Sequence, residues 1–207
     1  MEIVHSKIIL IGLTGGIASG KSEVARIFKK AQIQVINLDR LGTELIESNQ
    51  DVIDDLKRIC GKKIMVDGKV DRKQVRTMLF SSACKRARIE ALLHPRIWGL
   101  FALRLDAFEA RGKKLVICEA ALLIESGIVA HFHSCIVVMA DEKTRKKRLM
   151  KRDGISEKLA RKMIDTQTND TTRKRMATHL INNNGTLRTL RSKVQALMAE
   201  WKSRELL

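Results

Sequence analysis

Tyrosine is absent from the 207 residues, and aromatic side chains make up only 3% of them. Successive bases would find few rings to stack on, so a platform for single-stranded nucleic acid is poorly supplied. There is one proline, Pro95, and no internal repeat or low-complexity linker. The four cysteines, Cys60, Cys84, Cys118 and Cys135, form no C-x-x-C pair. Cys118 and Cys135 lie in apolar, strand-like runs. Buried free thiols are therefore expected rather than a metal site or a disulfide framework. No apolar run approaches the length needed to cross a bilayer. The opening MEIVHSK lacks the layout of a signal peptide, because the first apolar run leads straight into a glycine-rich segment. A cytoplasmic protein is expected. With 44% hydrophobic and 30% charged residues, the chain reads as one globular domain able to bury a substantial core.

What is present is concentrated in residues 8–22, IILIGLTGGIASGKS. An apolar run ends in Gly15-Gly16-Ile17-Ala18-Ser19-Gly20-Lys21-Ser22, which fits the phosphate-loop pattern G-x-x-x-x-G-K-[ST]. Gly15 and Gly20 can take backbone angles closed to other residues, so successive N–H groups can turn toward phosphate oxygens. The helix beginning near Lys21 adds the positive end of its dipole. Lys21 can reach the outer phosphates, and Ser22 can offer its hydroxyl to Mg²⁺. Behind the loop, Val24, Ala25, Ile27 and Phe28 form the apolar stripe of an amphipathic helix. The motif alone also fits a protein that binds nucleotide without transferring phosphate.

Four further short strands follow, at 33–38, 114–118, 134–140 and 179–182. Strands alternating with helices predict a parallel sheet covered on both faces. Asp39 closes the second strand, where ligands gather in open α/β sheets. It reads equally as a base for an attacking hydroxyl and as a helix N-cap. Glu119 closes the third strand, where an acid can reach Mg²⁺ through water; a cap or ion-pair role suits it as well. The helical block from about 41 to 110 is too large for a simple crossover and should form a substrate-binding insertion. Within it Asp71 can cap a helix, and Pro95 should kink a helix or start a new one. His94, beside that proline, is either a structural partner or a site residue. Residues 141–176 hold thirteen Lys/Arg against six Asp/Glu. Arg145, Arg148 and Arg152 recur at helical spacing, which suggests a lid closing over phosphates.

The net charge of +17 admits three explanations. It suits a nucleic-acid binder, a handler of phosphorylated small molecules, or a solvated basic surface.

These motifs together resemble the dephospho-coenzyme A kinase family, over nearly the whole chain from about Ile8 to Leu197. IGLTGGIASGKSEVARIF is similar to the family's opening, and Val35-Ile36-Asn37-Leu38-Asp39 to its V-I-D-A-D. DGKVDRKQVRTMLF, LLHPRI, EAALLIESG, RLMKRDGISEKLARKMIDTQ and LINNNG resemble its later segments in order. The resemblance implies a P-loop NTPase three-layer sandwich with a five-stranded parallel sheet. Its core would be about 7–40, 111–140 and 177–207, with the insertion at 41–110 and the lid at 141–176. It implies transfer of phosphate from ATP, with Mg²⁺, to the ribose 3′-hydroxyl of dephospho-CoA. Asp39 would then be the base, with Lys21, Arg145 and Arg148 as its catalytic companions. Gly15 to Glu23, Arg152, Asn184 and Gly185 would hold the nucleotide. Thr14, Asp39, Arg72 and His94 would serve the acceptor, and Ser22 and Glu119 the metal. A monomer or small homo-oligomer is expected, with no membrane and no specific nucleic-acid partner.

The chain departs from the family pattern at several positions. Ala18 stands where a glycine is usual, Glu23 where Ser or Thr is usual, and Asn37 where the first Asp is usual. Ala121 replaces a proline, and Met176-Ala177-Thr178-His179 replaces a common A-D segment. None removes a proposed base or phosphate ligand. Two other functions compete: a different small-molecule kinase, such as one acting on nucleoside monophosphates, and a nucleic-acid-binding P-loop ATPase.

Overall fold

A computed structural model describes residues 7–204. In chain order its elements are β1 (Ile9–Gly15), α1 (Lys21–Lys30), β2 (Gln34–Asn37), α2 (Leu38–Ser48), α3 (Gln50–Cys60), β3 (Met65–Val66), β4 (Lys69–Val70), α4 (Arg72–Ser81), α5 (Ala83–Glu109), β5 (Leu115–Glu119), β6 (Ser134–Met139), α6 (Glu142–Asp153), α7 (Glu157–Asp165), α8 (Asp170–Met176), β7 (His179–Asn182) and α9 (Leu187–Ser203). The chain divides into two compact units, one comprising the residues up to Asn37 with those from Ala107 onward, the other Leu38–Asp106.

The first unit is built on a five-stranded sheet in the order β2-β5-β1-β6-β7. Every pairing in it is parallel. Parallel strands buried on both faces need continuous apolar runs. β5 (LVICE) is buried at every position, and β1 and β6 at all but their first. On one face Ile11, Leu13, Ile117, Ile136 and Val138 pack with Val24, Ile27 and Phe28 of α1 and with Leu190, Val194 and Trp201 of α9. Phe28 and Trp201 stack with ring centroids 5.5 Å apart. Phe28, Phe101 and Trp201 are buried, so these scarce aromatics serve the core.

The second unit is helical, with one small addition. Val52, Leu56, Cys60, Ile64, Val75 and Ile89 form its core. Asn49 caps α3 by accepting from the Val52 N–H, and Asp71 caps α4 by accepting from Lys73. The antiparallel pair β3–β4, two residues each, was not anticipated from the sequence; such strands are too short to carry a period of two. Pro95 does not start a new helix, because α5 runs through it as one element. A proline removes one helical N–H and crowds the preceding turn. The Arg96 side chain meets that turn, donating from Nη1 to the Leu92 carbonyl at 3.0 Å.

Candidate active site

β1 ends at Gly15 and α1 begins at Lys21, so the loop between them lies at the carboxyl edge of the central strand. Its glycines are required by space as much as by angle. A Cβ on Gly20, whose φ is +99°, would fall 2.1 Å from Asn183 Nδ2. A Cβ on Gly15 would fall 2.3 Å from the Val138 carbonyl oxygen. The Ser19 N–H donates to the Gly16 carbonyl at 3.0 Å, and the Glu23 N–H to the Gly20 carbonyl at 3.0 Å. The loop is thereby wound into the first turn of α1, leaving helix-end N–H groups for an anion. Ala18 holds φ at +58°, a left-handed angle that costs an alanine stability.

Three parallel strands deliver a polar cluster beside this loop. Glu119, at the end of β5, is 4% exposed. It accepts from Ser22 Oγ at 3.1 Å and from Asn37 Nδ2 at 2.8 Å, and its Oε1 lies 3.6 Å from Lys21 Nζ. A buried carboxylate is tolerated when charge and donors surround it. The ion-pair reading of Glu119 is met by Lys21, and the carboxylate lies beside the Ser22 hydroxyl. Asn37, where the family usually has an acid, supplies a neutral donor to that carboxylate.

The basic segment reaches the loop from the other flank. Asp141 caps α6 by accepting from the Thr144 N–H, which holds its carboxyl below the usual range. From α6, Arg148 Nη1 lies 3.4 Å from the Ala18 carbonyl and 3.3 Å from that of Ser19, while Nη2 donates to the Asn183 carbonyl at 2.9 Å. Asn183 is buried and donates from Nδ2 to the Ser19 carbonyl at 2.7 Å. Arg145 is buried and pairs through Nη2 with Asp170 Oδ2 at 3.3 Å. Among the described residues its Nε has no hydrogen-bond partner, and neither does the buried Ser19 hydroxyl. Arg173, 2% exposed, pairs with Glu125 at 3.0 Å and with Asp170 at 3.4 Å. Two arginines thus share Asp170 beside the loop. Arg152 is not among them; it is exposed and pairs with its neighbour Asp153 at 2.7 Å. Helical spacing puts all three arginines on one side, but the third lies a turn beyond the loop.

The remaining residues proposed from sequence fall as follows. Thr14 is buried in β1, its hydroxyl 3.5 Å from the Ala121 carbonyl. Glu23 pairs with Arg26, which lowers its carboxyl pKa. Asn184 accepts from the Asp141 N–H at 2.9 Å, and Gly185 follows it on the exposed turn before α9. Asp39, Arg72 and His94 belong to the second unit. Asp39 is the second residue of α2, so it lies inside the first helical turn and is not its N-cap. Arg72 opens α4 and approaches α2, with Nη1 3.4 Å from Thr43 Oγ1 and Nε 3.6 Å from Glu47. His94 is exposed on α5. Sequence reasoning passed over Asn183, Arg173, Glu125 and Gln167. Arg173 looked like any other cation of a basic run. Asn183 is one amide of an asparagine run and carries no pattern of its own.

The family model for CoaE, dephospho-CoA kinase, matches residues 9–189. Dephospho-CoA kinase from Shouchella clausii (strain KSM-K16) is 36% identical over 177 residues, covering 85% of this chain and 90% of that protein. Dephospho-CoA kinase from Corynebacterium glutamicum is 34% identical over 191 residues, covering 92% and 98%. The crystal structure of TT1252 from Thermus thermophilus superposes with a TM-score of 0.82 at 30% identity, over 94% of this chain and 98% of that one. The match spans the phosphate loop, the insertion and the basic segment alike, and on that extent the chain belongs to the dephospho-CoA kinase family.

Proposed function

We propose that the chain transfers the γ-phosphoryl group of ATP to the ribose 3′-hydroxyl of dephospho-CoA, giving coenzyme A and ADP, the last step of coenzyme A synthesis. One observation carries this reading: Lys21, Ser22, Glu119, Arg145 and Arg148 converge around one loop in a chain of this family. In the transfer, the 3′-oxygen bonds to the γ-phosphorus, the bond to the β–γ bridging oxygen breaks, and the hydroxyl proton leaves to a base. Asp39 is that base. It lies two residues beyond Asn37, whose amide holds Glu119. Lys21 and the loop from Gly15 to Ser22, with Glu23 behind it, cradle the phosphates of ATP. Arg145 and Arg148 face charge that spreads over the transferring oxygens, where fixed donors act most strongly.

The Ser22 hydroxyl and the Glu119 carboxylate are hard oxygen donors, 3.1 Å apart, and suit Mg²⁺. Ser22, and Glu119 through water, would hold Mg²⁺, which when bound would supply neutralisation of phosphate charge. Residues 141–176 act as the lid and the helical insertion, about 41–110, binds the acceptor, with Thr14, Arg72 and His94 serving it. Asn184 and Gly185 lie toward adenine, and Arg152 attracts nucleotide from the rim. The surplus positive charge attracts polyphosphate substrates. No helix among the described residues is long and apolar enough to cross a membrane, and the reading expects a cytoplasmic monomer or small homo-oligomer.

A turnover screen tests the acceptor. With ATP and Mg²⁺, ADP release should depend on dephospho-CoA and stay at background with nucleoside monophosphates. Turnover of a nucleoside monophosphate without turnover of dephospho-CoA would contradict the proposal.

A further inference from the structure

The basic segment meets the phosphate loop through more than its arginines. Between α7 and α8, Gln167 reaches back across the first unit, and the Ile17 N–H donates to its Oε1 at 2.7 Å. Gly16, just before Ile17, is walled in by the same segment. A Cβ there would lie 2.6 Å from Arg145 Nη1, 3.3 Å from Arg173 Nη1 and 3.5 Å from Gln167 Oε1. Three long side chains therefore crowd one backbone position.

Their chemistry differs in a way that matters. A guanidinium only donates hydrogen bonds, as does a loop N–H, so the arginines cannot bind the Ile17 amide. Among the three, Gln167 alone carries an acceptor. Asp170 and Glu125 hold the arginines, but Arg145 retains a buried Nε without a partner among the described residues. The arginines thus sit beside the loop without being fastened to the Ile17 position themselves. A neutral amide suits the fastening role, since a carboxylate would add negative charge beside a phosphate site.

We propose that Gln167 is a positioning residue: its bond from the Ile17 N–H pins the segment between α7 and α8 to the phosphate loop and so sets Arg145 and Arg173 beside Gly16. The catalytic consequence rests on the kinase reading, whereas the pin itself does not.

Amide hydrogen exchange on the nucleotide-free protein tests the pin directly. Gln167→Leu keeps the bulk but removes the acceptor. It should speed exchange of the Ile17 amide by roughly tenfold, the worth of one hydrogen bond. The Ser19 amide, which donates within the loop to Gly16, should be unchanged. Gln167→Glu keeps an acceptor and should restore slow exchange at Ile17 while raising KM for ATP. In turnover, Gln167→Leu should lower kcat roughly tenfold with a smaller change in KM for ATP. Equal Ile17 exchange in the parent protein and Gln167→Leu would overturn the pin, whatever reaction the protein catalyses. Faster exchange with an unchanged kcat, in protein that turns over dephospho-CoA, would overturn its positioning role. Protein with the predicted exchange pattern but no turnover of dephospho-CoA would retain the pin and count against the kinase reading alone.

Discussion

Ala18 and Lys21 show two kinds of demand on a single residue. Ala18 holds φ at +58°, a conformation costing a non-glycine residue about 1–2 kcal/mol. Glycine relieves that strain but brings a more flexible unfolded chain, worth about 0.4–1 kcal/mol in the other direction. Ala18→Gly should therefore stabilise the protein by about 0.5–1 kcal/mol, read as a raised denaturation midpoint with an unchanged slope. A lower midpoint would show that the methyl makes contacts outweighing its strain. Lys21 lies 3.6 Å from Glu119, and this proximity fixes the ammonium beside the loop. Lys21→Ala should lower kcat/KM by roughly 10²–10³-fold, as removal of a preorganised charge does. Loss below tenfold in steady-state assays would remove Lys21 from the phosphate site. Lys21 and Ser22 were legible because the loop is contiguous and each residue type has one geometric task. Asn183 was not legible: its bond to Ser19 spans 164 residues and belongs to the fold, not to any local pattern.

At the scale of elements, α6 is the piece on which the basic segment depends. Its cap, Asp141, titrates below the ordinary carboxylate range because Thr144 donates to it. A depressed folded pKa means stabilisation that is complete above the unfolded value, near pH 4, and lost as pH falls through the folded one. Asp141→Asn still caps a helix but no longer titrates there. Its melting temperature should fall less steeply with acid below about pH 4 than that of the parent protein. Parallel curves would show that the cap does not contribute. Asp71 starts α4 as the sequence led one to expect; in the structure Asn49 caps α3 and Thr186 caps α9, the latter by accepting from Thr189. The passage of α5 through Pro95 was not readable. A side-chain bond from Arg96 to the Leu92 carbonyl attends that turn, and propensity has no knowledge of it. Nor did periodicity separate Arg145 and Arg148, which reach the loop, from Arg152, which pairs with Asp153. Helical spacing gives direction but not distance along the axis.

For the whole molecule, the five strands of the parallel sheet came from the sequence with almost correct limits, the central β1, β5 and β6 because burial on both faces leaves continuous apolar runs. Their order did not, since β5 and β6 flank β1 through contacts set by crossovers. Thiol chemistry tests the packed core. Cys60, Cys118 and Cys135 are buried, and burial raises all three thiols, that of Cys135 to about 11; Cys84 is exposed. Brief alkylation of the native protein near neutral pH should label Cys84 alone, and all four cysteines should react after denaturation. Rapid native labelling of Cys118 or Cys135 would contradict the sheet. The high positive charge stays compatible with this core because the two buried arginines among the described residues, Arg145 and Arg173, are each paired with a carboxylate.

The central claim is the transfer of phosphate to one hydroxyl by one base, and the product carries the answer. ATP, Mg²⁺ and dephospho-CoA would be incubated with the protein, and the product identified by mass and by phosphorus NMR. The account predicts coenzyme A phosphorylated on the ribose 3′-hydroxyl, formed one-for-one with ADP. It further predicts that Asp39→Asn slows its formation by roughly 10²–10⁴-fold with ATP binding largely kept. ADP without coenzyme A, phosphate on another group, or full speed from Asp39→Asn would contradict it.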